Sequence, residues 1–302
     1  MIVSASRRTD IPCCHAAWFM ERIRAGFCLV RNPRNPRSVS RVPLTPDVVD
    51  CIVFWTKDPA PLMPYLDELD ARGFSYVFQF TITPYGREIE PGVRSWKELA
   101  GTFEALSRRI GPHRVLWRYD PVLLTDGWGE PAHAAAFDAM ASHLAPFTRL
   151  VTISFLDRYP GMRGRALAAP DEEMQMRLAR TFAGTAQRFG LEVRACCERL
   201  DFSGAGVRPA ACIDRAVLEQ AVGVPLTLKR DAGQRDGCGC FESVDIGAYG
   251  TCRNACTYCY AMRGASAVCD VSSPLLGAPL SPADTVRERK AVSNRDGQLS
   301  LY

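Results

Sequence analysis

Five cysteines fall between positions 238 and 259, in Cys238-Gly239-Cys240 and in Cys252-Arg253-Asn254-Ala255-Cys256-Thr257-Tyr258-Cys259. The surrounding sequence is glycine-rich and loop-like, and burial as small hydrophobes does not explain the grouping. Metal ligation does. The C-x3-C-x2-C spacing lets Cys252, Cys256 and Cys259 wrap one corner-sharing iron–sulfur cube. Three thiolates leave one iron of a 4Fe-4S cluster without a protein sulfur, whereas closed ferredoxin-type sites use four. An open iron can bind a substrate or cofactor. Cys238 and Cys240 are further candidate ligands: either could close the cluster, help hold a second metal, or act as a free thiol. Zinc is the rival metal, since four cysteines also satisfy a tetrahedral site.

The remaining cysteines carry less chemistry. Cys28, Cys51 and Cys212 sit in apolar runs and read as buried small hydrophobes. Cys196-Cys197 ends a strand-like run. Alternation sends the two side chains to opposite faces, which favours packing over ligation. Cys13, Cys14 and Cys269 support no stronger statement. His15, His113, His133 and His143 lack metal spacing and read as structural or surface residues.

A second chemical signal is the charge at strand ends. Apolar, β-branched runs occur at Ile2–Ser6, Cys51–Trp55, Tyr76–Ile82, Arg114–Tyr119, Leu150–Phe155, Leu191–Cys196 and Pro225–Leu228. Polar residues gather where they stop, among them Arg7 and Asp10, Lys57, Arg118 and Asp120, and Lys229. These six are the candidate catalytic residues. If the ends converge, Arg7, Lys57, Arg118 and Lys229 form a cationic pocket for a carboxylate or phosphate, which arginine can bind bidentately.

The elements needed to converge them are legible. The near-continuous apolar runs suit parallel strands covered on both faces. Between them lie helical patterns. In Ser95–Ile110 the apolar residues step by three and four, and Ser95 with Glu98 makes a capping box. Asp171 caps another helix. Gly26, Gly73, Gly111, Gly190 and Gly223 follow helical stretches, as helix-closing glycines do. Helix, glycine, turn and strand in repetition give an α/β fold, and a (β/α) barrel of six to eight strands, complete or incomplete, is expected. No Gly-x-Gly-x-x-Gly turn follows the first strand, so a dinucleotide site has little support. Residues 27–50 interrupt the rhythm as a basic, hairpin-like insertion beside the mouth, carrying Arg31, Arg34, Arg37 and Arg41. The expected organisation is a barrel over residues 1–231 and a cluster-binding segment over 232–302 packed on it.

Composition sets outer limits. The chain has 302 residues, 47% hydrophobic, with a net charge of +4, which permits an anionic ligand and does not demand nucleic acid. No apolar run is long enough for a membrane span, and the N-terminus lacks the apolar core of a signal peptide. A cytoplasmic protein is expected, in which thirteen cysteines are not a disulfide framework.

The Cys252–Cys259 motif, with Tyr258 before its last cysteine and Tyr260 after it, resembles the signature of the radical S-adenosylmethionine enzymes. The resemblance implies a 4Fe-4S cluster on the three cysteines and S-adenosylmethionine on the open iron. It places Tyr258 near the adenine and implies formation of a 5′-deoxyadenosyl radical. A flavodoxin- or ferredoxin-type electron donor follows from it. The Tyr-Cys-Tyr context is also similar to spore photoproduct lyase and its DNA-repair relatives, which adds a nucleic-acid repair reading to that of an electron-transfer or structural cluster. Most of that superfamily carries the loop near the N-terminus; here it follows seven strand candidates. Over nearly its full length the chain resembles the domain of unknown function 1848 family. The match includes Ser4–Pro12, Val53–Lys57, Trp117–Pro121, Gln234-Arg235, Cys238–Cys240 and Gln298–Leu301.

Overall fold

The computed structural model of the protein describes residues 1–158, 162, 167–262 and 269–295. Gln298–Leu301, part of the family resemblance, lies outside the described residues.

In chain order the elements are β1 (Ile2–Ala5), α1 (Ile11–Cys14), α2 (Ala16–Ala25), β2 (Phe27–Arg31), β3 (Ser38–Pro43), β4 (Cys51–Thr56), α3 (Leu66–Ala71), β5 (Tyr76–Thr81), α4 (Trp96–Ile110), β6 (Val115–Val122), α5 (Glu130–Leu144), β7 (Leu150–Phe155), α6 (Glu172–Arg188), β8 (Glu192–Cys196), β9 (Arg208–Ala210), α7 (Arg215–Val222), β10 (Val244–Asp245) and β11 (Thr285–Glu288). Eight strands form one parallel sheet in the order β10-β1-β4-β5-β6-β7-β8-β9. Helices surround it, giving a barrel-like α/β fold. Among the described residues no ladder joins β9 to β10.

Local signals behave as their chemistry requires. Ser95 and Glu98 form the capping box of α4, and Asp171 accepts from the Met174 amide at the start of α6. Gly26 and Gly223 close α2 and α7 in the left-handed conformation, which a side chain would disfavour.

Register and the two-residue alternation of strands sort the side chains into two layers. Val3, Phe54, Phe78, Trp117, Ile153 and Val193 point to one face and join the main core against the surrounding helices. Ile2, Cys51, Val53 and Val77 point to the other, where they pack with Leu218 of α7 and with Leu226, Leu228, Cys240 and Phe241. So α7 and the segment after it cover the inner face near the strand starts. Toward the strand ends the inner residues turn polar, and there a cavity opens.

Two expectations about strands are corrected. Pro225–Leu228 is not a sheet strand; only Leu226 makes an isolated bridge, to Arg295. Its apolar residues instead pack beside α7. The outermost strands are β9 and β10, of three and two residues, too short to show a period. Residues 27–43 do form a hairpin, β2 antiparallel to β3, extended by β11 alongside β3. The stretch after residue 231 thus supplies β10 to the main sheet and β11 to the small one. Among the described residues no helix is long and apolar enough to cross a membrane.

Candidate functional site

A cavity of about 500 Å³ sits at the strand ends. Its wall is the inner face continued: Ser6 after β1, Trp55 and Lys57 at the end of β4, Thr81 on β5, Arg118 and Asp120 on β6, Ser154 on β7 and Cys196 on β8. These positions alternate along each strand, so one rule of side-chain direction brings them together. Cys252, Asn254, Cys256, Tyr258 and Cys259 line the same cavity, as do Cys197, Cys212, Cys238 and Cys240.

The cysteine loop is clamped from two sides. Asp10 caps α1 through the Cys13 amide at 3.0 Å. It also accepts from the Lys57 amide at 2.7 Å and from Asn254 Nδ2 at 2.8 Å. It therefore ties β1, β4 and the loop into one joint, and burial pushes its carboxyl up to about 7 against the pull of those donors. His15 meets the Thr251 carbonyl at 3.0 Å, and the Arg253 amide donates to Cys14 Sγ at 3.4 Å. On the other side the Gly92 amide donates to the Asn254 carbonyl and the Thr257 amide to that of Ile89, both at 2.9 Å. Gly92 is so close that a Cβ there would stand 2.6 Å from the Arg253 carbonyl oxygen. Within the loop Ala255 takes a φ of 55°, a left-handed conformation that an alanine adopts only when held.

Lys57 stands beside Cys256 and Tyr258 of this loop. Its Nζ donates to Glu90 Oε1 at 2.8 Å and Thr83 Oγ1 at 3.3 Å, and it stands 5.7 Å from the Tyr258 ring centre. Tyr258 OH donates to the same Glu90 oxygen at 2.6 Å. Burial opposes the Lys57 charge, but Glu90 and Cys256 more than offset it and its pKa is raised. Burial raises Cys256 to about 12, and the Lys57 charge pulls in the opposite direction, toward thiolate.

Across the cavity, Arg7 and Arg118 stand on the Trp55 ring at 5.0 and 5.4 Å from its centre. Arg118 Nη1 donates to Cys212 Sγ at 2.9 Å, and its Nη2 pairs with Asp120, which also accepts from Ser154 Oγ. Burial opposes ionisation of Asp120, but Arg118 and Ser154 hold its carboxyl below the ordinary range. Arg7 Nη2 is buried and has no hydrogen-bond partner among the described residues.

Of the expected cationic pocket, Arg7, Lys57 and Arg118 converge, with Asp10 and Asp120. Lys229 does not: it is exposed and outside the lining, because Pro225–Leu228 is not a strand aimed at the mouth. Cys212 is buried in the inner apolar cluster, as expected, and it also lines the cavity, where it touches Arg118 and Cys196. Cys196 and Cys197 both line the cavity, against the expected alternation, because the strand ends at Cys196 and Cys197 takes a φ of 56°. Trp55, Glu90 and Asn254 were not singled out in the sequence; only their closeness to the motifs hinted at them. The basic insertion is partly neutralised: Arg31 pairs bidentately with Asp284 at 2.8 Å, and Arg41 with Glu288 at 3.4 Å.

Among the described residues no three His, Cys, Asp or Glu side chains gather closely enough to hold a single metal ion. A cube takes each thiolate at a different corner, and Cys252, Cys256 and Cys259 all line the cavity, so the donor type it needs is present there.

The chain belongs to the family described as Domain of unknown function (DUF1848), whose profile matches residues 2–261. No curated protein and no solved structure matches it.

Proposed function

We propose that the chain, a member of that family, is an iron–sulfur enzyme of the radical S-adenosylmethionine type. Cys252, Cys256 and Cys259 would hold the 4Fe-4S cluster, and the cavity at the strand ends would hold the substrate. The observation that carries the reading is that all three cysteines line the same cavity as Arg7, Lys57 and Arg118. A structural or purely electron-transferring cluster has no need of a cavity lined by three cations.

When bound, the reduced cluster supplies the electron that cleaves the sulfonium of S-adenosylmethionine. The chain's own residues do the rest. Asp10 and Gly92 fix the loop backbone, so the thiols keep one arrangement. Lys57, held by Glu90 and Thr83, places positive charge beside Cys256 and favours its thiolate form. Arg7 lines the cavity, and a carboxylate is the group its guanidinium pairs with best. Tyr258 adds an aromatic wall, and Arg118 with Asp120 a polar pair for the substrate.

The test is anaerobic reconstitution followed by iron and sulfide analysis, electron paramagnetic resonance with and without S-adenosylmethionine, and chromatography for 5′-deoxyadenosine. The reading expects about four irons per chain, a spectral change on adding S-adenosylmethionine, and slow 5′-deoxyadenosine formation without substrate. Stoichiometric zinc with little iron refutes the cluster. Iron with neither the spectral change nor 5′-deoxyadenosine refutes the radical reading alone.

A further inference from the structure

The sulfurs facing the cavity fall into two groups. Cys252, Cys256 and Cys259 belong to the clamped loop. On the other side Cys196 Sγ lies 2.9 Å from Cys212 Sγ, and Cys212 is in hydrogen-bond contact with Cys240. These residues come from three separate stretches: the end of β8, the turn before α7 and the segment leading to β10. None of them is used by the proposed cluster.

The 2.9 Å separation decides what the pair suits. Two thiolates on one zinc, each about 2.3 Å from the metal at a tetrahedral angle, stand roughly 3.7 Å apart. The pair is closer than that. A disulfide bond is about 2.05 Å, so the sulfurs need approach by only roughly 0.9 Å to form one. Arg118 Nη1 donates to Cys212 Sγ at 2.9 Å, so negative charge on the pair meets a fixed cation. Both residues line the cavity, so a small molecule can reach them without unfolding.

We propose that Cys196 and Cys212 form a reversible dithiol–disulfide couple inside the cavity, exchanging electrons with small disulfides and dithiols that enter it. In the oxidising direction the Cys196 thiolate attacks one sulfur of the small disulfide. A mixed disulfide forms and one reagent thiolate leaves. The Cys212 sulfur then attacks the Cys196 sulfur; the internal disulfide forms and the second reagent thiolate leaves. The two protons of the protein thiols end on the two reagent thiolates, so the protein gives up two electrons and the reagent gains two. The reverse sequence, with a small dithiol, restores both thiols. Oxidation takes the Cys212 sulfur away as a charged acceptor for Arg118 and changes the charge of the cavity wall.

The inference does not rest on the iron–sulfur reading. It is tested on the full chain under nitrogen, in buffers of oxidised and reduced dithiothreitol at graded ratios. Samples are quenched in acid, alkylated and mapped by mass spectrometry, which identifies the bond by its peptides and separates it from anything at Cys252, Cys256 or Cys259. The expected result is one reversible transition in which two alkylatable thiols disappear and a Cys196–Cys212 peptide pair appears. Cys196→Ser or Cys212→Ser should abolish it, and Cys197→Ser should not. The isosteric serine variants are checked for folding by circular dichroism. Absence of that bond at every ratio overturns the proposal, as does a bond joining other cysteines in its place. So does a stoichiometric metal that must be removed before Cys196 and Cys212 react.

Discussion

Gly92→Ala isolates the clamp on the cysteine loop. Gly92 does not occupy the left-handed region, so an alanine can adopt its backbone conformation and the effect is steric. The added Cβ would lie 2.6 Å from the Arg253 carbonyl oxygen and 2.9 Å from Asn254 Cα and its carbonyl oxygen. Ordinary carbon–oxygen contacts are about 3.4 Å, so the loop backbone must retreat by roughly 0.8 Å. No flexible side chain can yield in its place, and the Gly92–Asn254 hydrogen bond is strained in the same movement. Over-packing of this kind costs about 1–3 kcal/mol, or roughly 2–6 °C of melting temperature for a chain of this size. Gly101→Ala is the control: Gly101 lies in α4 with nothing within 4 Å of the added carbon. Removing a helix-interior glycine there should stabilise by about 0.5–1 kcal/mol. Urea denaturation and thermal melting of both variants give the difference, and anaerobic reconstitution of Gly92→Ala should give reduced iron loading. A Gly92→Ala protein as stable as the parent, with full iron loading, would refute the idea that this contact positions the loop.

Other outcomes follow from the same contacts. Replacing Cys252, Cys256 or Cys259 with alanine should remove the iron–sulfur absorbance, whereas Cys238→Ser and Cys240→Ser should keep it; visible spectra and iron analysis decide. Lys57→Met leaves the buried Glu90 carboxylate without its cation and should destabilise by about 3–5 kcal/mol. Adding Glu90→Gln to that variant should recover part of the loss in urea melts. His133 is buried between the Tyr119 hydroxyl and the Leu123 carbonyl, and burial lowers its pKa. The unfolded chain then binds the proton more readily, so stability is full above the unfolded value near 6.5 and is lost as pH falls below it. The slope should be at most about 1.4 kcal/mol per pH unit from this group, and His133→Gln should remove that component from the urea-derived pH profile.

The fold was legible where chemistry is local. Apolar runs marked six of the eight sheet strands, Ser95 with Glu98 marked the start of α4, and the hairpin of residues 27–43 showed in its turn-rich centre. Strands of two and three residues have no period to read, and Pro225–Leu228 looked like a strand because packing beside α7 asks for the same apolar residues.

For the site, sequence alone determined which residue types stand at the strand ends and that Cys252, Cys256 and Cys259 share one loop. Those facts follow from alternation and spacing along a single stretch of chain. Only the tertiary structure decided which ends meet. It brought Arg7, Lys57 and Arg118 around one cavity and left Lys229 outside. It drew Cys196 and Cys212, sixteen positions apart and on different elements, to 2.9 Å. It also set Glu90 beneath both Lys57 and Tyr258. Such meetings depend on which strands become neighbours and on where each loop returns, and a pattern within one stretch of chain encodes neither.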